Sequence, residues 1–214
     1  MISNRLQAIA SFIPPAKKIV DVGCDHGYLI IEAFEKYQID FAVALDNKQG
    51  PLSKAIDNIR GYDFFEKVNF ILSDGLNQFY AKADAFIFAG MGGLTIIDII
   101  KRGIEKISDA SLIIQANRHT PEVRTFLSRM GYGIVNEQLV FEDGKYYEIC
   151  LFKKSQGIVS YNENEILFGP IFLLKKEEIF FNKLRNDLRI LKEIPYQTKK
   201  NVDLIKRIEE ILCL

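Results

Sequence analysis

The sequence predicts an α/β fold with a Rossmann-like, largely parallel sheet that ends in an antiparallel hairpin. Three observations lead to this prediction. Apolar runs alternate with segments of helical period over residues 18–132. Two long strand-like runs then follow over residues 132–154, and from residue 155 onward the pattern is helical alone. Alternating strands and helices imply a parallel sheet with right-handed crossovers.

Five strand-like runs supply the parallel part of the sheet. Each is rich in Ile, Val, Phe and Ala and has little polar interruption before its carboxyl end, as is typical of strands buried on both faces. The runs are residues 18–23, 41–46, 68–74, 85–90 and 111–117. Segments of helical period follow at residues 27–37, 50–62, 93–107 and 120–132. In the last of these, we expect Thr120 to cap the helix and Pro121 to occupy its first position.

The carboxyl-terminal part differs in character. Asp143-Gly144 favours a hairpin turn between the last two strands. Beyond it we predict a short helix near residues 162–168, a long helix of about 25 residues opening at Gly169-Pro170, and a last helix after Pro195. Apolar residues at steps of three and four let the last two pair as a coiled-coil-like helical hairpin. We therefore predict two domains, residues 1–154 and residues 155–214.

Composition sets limits on function. The chain has 28 Lys and Arg against 28 Asp and Glu, so binding to a nucleic acid would depend on local basic patches. We find no apolar run of the roughly 18 residues that a membrane span needs, and no secretory leader pattern. Cys24, Cys150 and Cys213 are widely separated and form no CxxC pair. We expect a cytoplasmic protein with no metal, no disulfide and no membrane association, and a monomer is favoured.

The first turn indicates which ligand is bound. Ligands of doubly wound folds bind outside the carboxyl ends of the strands. The turn from Gly23 to Gly27 lacks both the GxGxxG pattern and a phosphate-binding Lys-Ser/Thr pair. Asp46 lies 23 residues after Gly23, where a carboxylate can accept hydrogen bonds from ribose hydroxyls. A nucleoside ligand without pyrophosphate is predicted, which favours S-adenosyl-L-methionine over the nicotinamide cofactor of an oxidoreductase.

Several stretches also resemble one protein family. The chain is similar to the bacterial tRNA (adenine-22-N1)-methyltransferases in "DVGCDHGYLI", "LSDGL", "FAGMGG" and "EDGKYYEI". The resemblance implies a seven-stranded class I methyltransferase sheet with a carboxyl-terminal helical hairpin. It also implies S-adenosyl-L-methionine as cofactor, tRNA as substrate and methylation at N1 of an adenine. The alternative is a protein that keeps this fold and binds RNA without the activity.

The resemblance assigns roles to particular residues. Asp21 and Gly23 are expected to shape the cofactor loop, Asp46 to hold the ribose, and Asp74 with Gly75 to meet the adenine. The predicted cofactor-binding residues are Asp21, Gly23, Asp46, Asn47, Ser73, Asp74, Gly75, Ala89 and Gly90. The predicted catalytic and base-pocket residues are Asp25, His26, Gly90, Met91, Gly92, Gly93 and Asn117.

Asp25 and His26 stand at the tip of a turn that has no pyrophosphate to bind. Attack by adenine N1 needs positioning more than a strong base. The product ring is cationic, so we expect the Asp25 carboxylate to stabilise it, and His26 to hydrogen-bond the base or a phosphate. The alternative is that Asp25 merely caps the following helix. Which tRNA species are used stays open.

Basic residues near the fifth strand are candidates for contact with RNA. As a group, Arg118, His119, Arg124 and Arg129 are expected to meet phosphates, together with the lysine pairs at residues 153–154 and 199–200. Taken singly, each is slightly better explained as a solvated surface charge. Arg5 is either a cation on a helix surface or part of the segment that resembles the family.

Overall fold

The computed structural model describes residues 2–214. These residues form two compact units, which divide after Ser160. The sequence predicted the boundary after residue 154, where the last strand ends. In the structure, residues 155–160 belong with the first unit.

In the described part of the first unit, seven strands form one sheet in the order β3-β2-β1-β4-β5-β7-β6. Strands β1 to β5 are parallel, β7 is antiparallel to β5, and β6 is antiparallel to β7. The bounds are β1 (Lys18–Val22), β2 (Phe41–Asp46), β3 (Val68–Leu72), β4 (Ala85–Met91), β5 (Ser111–Ala116), β6 (Tyr132–Glu142) and β7 (Lys145–Lys154). The predicted parallel sheet with a terminal hairpin is confirmed. Asp143 and Gly144 make its turn with φ of 49° and 74°.

The helices of this unit cover both faces of the sheet. They are α1 (Asn4–Ala10), α2 (Tyr28–Tyr37), α3 (Gln49–Ile59), α4 (Gly93–Ile107) and α5 (Thr120–Arg129). Along β4, Ile87 packs into the apolar cluster that includes α1, α2 and α3, whereas Phe86 and Phe88 pack into the cluster that includes α4 and α5. Successive side chains of a strand point to opposite faces. Burial on both sides therefore explains why the strand runs are almost wholly apolar.

Helix α5 begins slightly earlier than predicted. Its cap is His119 rather than Thr120, and Pro121 falls at the second helical position. The cause is the left-handed backbone of His119, with φ of 64°, which turns the chain into the helix one residue sooner.

The second unit contains α6 (Glu163–Phe168), α7 (Pro170–Lys175), α8 (Glu178–Lys192) and α9 (Lys199–Leu212). The prediction of one long helix from Gly169-Pro170 is wrong, because the helix is interrupted between α7 and α8. Lys176 adopts a left-handed conformation, with φ of 51°, and donates its N–H to the Phe172 carbonyl to close α7. Helices α8 and α9 pack together, and Lys192 pairs with Glu209 across them at 2.7 Å.

Candidate cofactor and substrate site

A cavity of about 570 Å³ lies outside the carboxyl ends of β1, β2, β3 and β4. Its volume falls within the range of small-molecule sites. The predicted residues that line it are Asp21, Gly23, Asp25, His26, Asp46, Asn47, Ser73, Asp74, Gly75, Ala89, Gly90 and Met91. The sheet thus brings together side chains from four separate turns. Arg5, Tyr28 and Arg102 also line the cavity and were not among the predicted site residues.

The turn after β1 is tight and is fixed by its backbone. The N–H groups of Gly23 and Cys24 both donate to the Leu45 carbonyl, at 2.8 and 3.0 Å. Gly27 has a φ of 73°, and a Cβ there would lie 2.9 Å from Cδ1 of Ile59, so a larger residue would clash with α3. Gly27 is the cap of α2, which receives no side-chain capping bond. The alternative that Asp25 caps this helix is therefore wrong.

Three carboxylates gather around this turn. Asp46 accepts hydrogen bonds from the backbone N–H groups of Asp25 at 3.3 Å and Lys48 at 2.9 Å. Asp21 is buried, and its burial, with smaller contributions from Asp46 and Asp25, raises its pKa to about 7. Burial, with the Asp21 and Asp46 charges, also raises the pKa of the Cys24 thiol. The negative potential of the cluster suits a cationic ligand.

His26 and Tyr28 form an aromatic pair beside the same turn. Their rings are stacked, with centroids 5.7 Å apart and planes 17° from parallel. The backbone of His26 is held in place because its carbonyl accepts a hydrogen bond from Asn58 Nδ2 at 2.9 Å. Tyr28 keeps 48% of its surface exposed, so the pair offers a flat face to a planar ligand. An aromatic residue at the first position of the helix after a binding turn is the signal that could have identified Tyr28.

The glycine-rich end of β4 forms a β-bulge. The pairing register with β5 shifts between Ala89 and Met91, and Gly90 has a φ of 75°. Gln115, fully buried on β5, accepts a hydrogen bond from the Gly90 N–H at 3.1 Å and donates one to Asn117 Oδ1 at 3.1 Å. Asn117 Nδ2 donates in turn to the Gly90 carbonyl at 2.7 Å. The three residues form a closed network that fixes both sides of the Gly90 peptide.

Gly92, Gly93 and Asn117 do not line the cavity, although they were predicted to belong to the base pocket. The Gly93 N–H donates to the Arg118 carbonyl at 2.8 Å, and a Cβ on Gly93 would lie 2.6 Å from the carbonyl oxygen of His119. Close packing of α4 against the chain after β5 draws Gly93 away from the cavity. These residues lie behind the wall of this cavity, which Ala89, Gly90 and Met91 form, and their assignment to the base pocket stays a prediction.

Arg5 approaches the same network from α1. Its Nη1 donates to Gln115 Oε1 at 3.3 Å, and its guanidinium lies 5.0 Å from the ring centroid of Tyr147. Its Nε is buried and has no hydrogen-bond partner within residues 2–214. Arg5 is thus a cation held against the cavity wall by stacking and one hydrogen bond. Neither Gln115 nor Tyr147 was predicted. The signal for Gln115 is a polar side chain within an otherwise apolar buried strand.

Arg124 is not available to RNA, which corrects the prediction for the basic group. Its guanidinium is fully buried and pairs with Glu137 at 2.8 Å and with Glu148 at 2.7 Å, joining α5 to the terminal hairpin. The carboxylates of these two residues satisfy the buried charge that would otherwise be costly. Arg118 and His119 are exposed at the end of β5.

Two absences hold for residues 2–214. His, Cys, Asp and Glu side chains form no group of three or more that could hold a metal ion. No helix there has the length and apolar character of a membrane span. Cys24 and Cys150 are buried free thiols, and Cys213 is an exposed free thiol.

The strand order, the antiparallel last pair and the position of the cavity together define a Rossmann-like methyltransferase. Its turn after β1 lacks a phosphate-binding pattern, and a carboxylate, Asp46, ends β2. Within that class, the family model for tRNA (adenine(22)-N(1))-methyltransferase matches residues 19–212, and the chain belongs to this family.

Relatives in this family match nearly the whole chain. The tRNA (adenine(22)-N(1))-methyltransferase of Bacillus subtilis strain 168 is 29% identical over 208 residues, which cover 94% of this chain and 87% of that protein. Streptococcus pneumoniae Sp1610, solved with S-adenosyl-L-methionine, superposes with a TM-score of 0.92 at 32% identity, over 99% of this chain and 100% of that one. M. capricolum TrmK, solved with S-adenosyl-homocysteine, gives 0.84 at 29% identity, over 100% and 97%.

Proposed function

We propose that this protein transfers the methyl group of S-adenosyl-L-methionine to N1 of adenine 22 in tRNA. Membership of the family supports the reaction. The observation that carries the proposal is the cavity in which Asp46, Asp21 and Asp25 surround a turn that has no phosphate-binding pattern. The proposed substrate also places the protein in the cytoplasm, where tRNA is modified.

The cavity fits the cofactor in charge and in size. When bound, the cofactor supplies a methyl group on a positively charged sulfur, and the carboxylate cluster favours such a ligand. Each oxygen of Asp46 accepts one backbone hydrogen bond and retains acceptor capacity for a ribose hydroxyl. Ser73, Asp74 and Gly75 line the cavity after β3 and are assigned to the adenine. Gly23 has no side chain and Ala89 has a small one, so the backbone at these positions can lie close to the rest of the ligand.

The target adenine is assigned to the side of the cavity near the tip of the first turn. Adenine N1 carries a lone pair at neutral pH, so the residues there have to orient the ring rather than remove a proton. The positive charge that forms on the ring is stabilised by the exposed carboxylate of Asp25. The stacked His26 and Tyr28 offer a face for the base, and Arg5 offers a cation for a phosphate.

The second unit is assigned to grip the tRNA. Its proposed contacts are the lysines at residues 199–200, which open α9 and are exposed. In the first unit, exposed Arg118 and His119 would add contacts to phosphate groups. Such contacts supply affinity without reading sequence, so the choice of adenine 22 depends on the shape of the whole tRNA.

Methylation of defined transcripts tests the proposal. Purified protein and S-adenosyl-L-methionine are incubated with a tRNA transcript that has adenine at position 22, and with the same transcript carrying guanine there. Nucleoside mass spectrometry should find 1-methyladenosine only in the first, and primer extension should stop one nucleotide short of position 22. Donor binding without methylation of any tRNA would instead favour an RNA-binding protein that keeps the fold.

A further inference from the structure

The turn that follows β3 is packed tightly against one face of α4. Gly75 has a φ of 57°, and a Cβ there would lie 2.8 Å from Cγ2 of Ile99. Leu76 fills the space beside Gly103, where a Cβ would lie 2.6 Å from the Leu76 Cδ1. Gly103 has non-helical torsion angles inside α4, at the point where Leu76 enters. Lys106 Nζ donates to the Leu76 carbonyl at 2.8 Å, so both apolar and polar contacts hold the turn on the helix.

Arg102 of α4 holds the carboxylate at the start of that turn. Its Nη1 donates to Oδ2 of Asp74 at 2.8 Å and its Nη2 donates to Oδ1 at 3.2 Å. Its Nε donates to Asp98 Oδ2 at 3.0 Å, one helical turn earlier, which anchors the guanidinium itself. A bidentate pair of this kind fixes the orientation of a carboxylate as well as its charge.

The Asp74 side chain would otherwise be free to rotate. It is 62% exposed, and both it and Arg102 line the cavity. Hydrogen bonds from Arg102 also lower the pKa of Asp74, which keeps the group an acceptor. Each carboxylate oxygen has a second acceptor position after it has bonded to Arg102. The pair therefore presents an oriented acceptor to whatever ligand part reaches the end of the cavity after β3.

We infer that Arg102 is a positioning residue that sets the selectivity of the cofactor site for an adenine ring, acting through Asp74. This inference rests on the proposed function, in which the turn after β3 receives the adenine. The 6-amino group of adenine donates hydrogen bonds, which an oriented carboxylate accepts. A ring without that group leaves the carboxylate without a partner, and a site built to hydrogen-bond a ligand group discriminates against ligands that lack it.

Ligand discrimination separates this role from a purely structural one. An exposed ion pair contributes little to stability, so Arg102→Met should fold normally. Calorimetry measures the dissociation constants of S-adenosylhomocysteine and of its analogue with hydrogen in place of the 6-amino group. We expect the unmodified protein to prefer the amino compound by about tenfold or more, since tenfold is close to the lower limit for one hydrogen bond to a charged group. In Arg102→Met, this preference should fall to about twofold or less.

Three further variants and a control test whether Arg102 acts through Asp74. Asp74→Ala should abolish the preference, and the double variant Asp74→Ala with Arg102→Met should lose no more than Asp74→Ala alone. Arg102→Lys retains the charge but not the planar fork, so it should also lose most of the preference. Arg60→Met removes a comparable exposed pair, with Asp57 at 3.4 Å on α3, outside the cavity. It should leave both dissociation constants unchanged.

The outcomes are distinct. A full preference retained in Arg102→Met, or in Arg102→Lys, overturns the inference, because orientation by the fork is then not needed. Independent and additive losses in the double variant overturn action through Asp74. Failure of the unmodified protein to bind S-adenosylhomocysteine at all overturns the proposed function itself. The comparison between variants tests only the role of Arg102.

Discussion

The carboxylate of Asp46 accepts a hydrogen bond from the backbone N–H of Asp25, with 3.3 Å between Oδ2 and the nitrogen. This bond joins the end of β2 to the tip of the turn after β1. The residue assigned to the ribose therefore also fixes the peptide that carries the residue assigned to the target base. A substitution at Asp46 should therefore affect both cofactor binding and the position of Asp25.

Replacing Asp46 tests the cofactor assignment. Asp46→Ala should weaken binding of S-adenosyl-L-methionine by roughly 1.5 to 3 kcal/mol, because hydrogen bonds to a charged group are lost. Isothermal titration calorimetry on the folded variant measures the change. Asp40→Ala, at an exposed aspartate before β2, serves as the control and should bind as tightly as the unmodified protein. An unaltered dissociation constant in a folded Asp46→Ala would contradict the assignment.

The fold was predictable because its signals are local. The strands around Val20 and Ile87 are apolar apart from Lys18 and Asp21, and strands buried on both faces need such runs. Asp143-Gly144 marked the hairpin through torsion angles that few other pairs adopt easily. Lys176 gave no such signal: it is a left-handed residue that is neither glycine nor asparagine, so the break between α7 and α8 was missed.

The site was predictable only in part. Asp21, Asp46 and Asp74 could be predicted to line the cavity because each lies at or near the carboxyl end of a parallel strand, at the sheet edge where ligands bind. Arg102 could not, because it lies on an amphipathic helix 28 residues from Asp74 and meets it only through tertiary packing. The resemblance assigned Gly93 to the base pocket, and sequence could not show that close packing against the His119 carbonyl keeps Gly93 out of the lining of this cavity.

Removing the Gln115 side-chain amide tests the network that shapes the wall. Gln115→Leu keeps a similar volume but leaves the Gly90 N–H and the Asn117 side chain without this partner. We expect a loss of about 1 to 3 kcal/mol in the free energy of unfolding, because two hydrogen bonds of about 0.5 to 1.5 kcal/mol each are lost. The single-turnover methylation rate should also fall. Urea denaturation and rapid-quench assays measure the two, and Gln138→Leu, at an exposed position on β6, should change neither. Unfolding and rate equal to those of the unmodified protein would show that the network is dispensable.

The raised pKa of Asp21 predicts a pH-dependent stability. The unfolded side chain has a pKa of about 4, whereas the folded one has a pKa of about 7. Between these values the folded state holds a proton that the unfolded state has released. The contribution of this group to the free energy of unfolding therefore falls as pH rises, by at most about 1.4 kcal/mol per pH unit.

Asp21→Asn removes this titration. The variant should be more stable than the unmodified protein at pH 8, and the difference should shrink toward pH 5, where Asp21 is protonated in the folded state. Urea denaturation at pH 5, 6, 7 and 8 measures the trend, with Asp40→Asn as a control that shows no such trend. A stability difference independent of pH would refute the assignment of the raised pKa to Asp21.

Removing the second unit tests whether the first unit binds the cofactor by itself and the second unit binds the tRNA. The two apolar cores of the sheet draw their buried residues from positions 8–152. A chain ending at Ser160 should therefore fold and bind S-adenosyl-L-methionine with unchanged affinity, yet methylate tRNA poorly, because the proposed RNA contacts of α9 are gone. Calorimetry and tRNA methylation at limiting tRNA concentration separate these effects. Full activity of the shortened chain toward tRNA would show that the helical unit is not needed for RNA binding.

The residue at the tip of the first turn gives the sharpest test of the chemistry. Asp25 has a φ of 49°, a left-handed conformation that asparagine also adopts readily, so Asp25→Asn should keep the turn. Donor affinity should stay near normal, while the single-turnover rate should fall by about tenfold or more, because the carboxylate acts only as positive charge develops on the ring.

Asp143→Asn is a matched control, since Asp143 has the same φ of 49° in the β6–β7 turn and lies outside the cavity. Its rate should equal that of the unmodified protein. If Asp25→Asn is folded, binds donor and methylates at the full rate, then the charge at this position does not stabilise the product cation, and orientation of the base by His26 and Tyr28 becomes the better explanation of the turn.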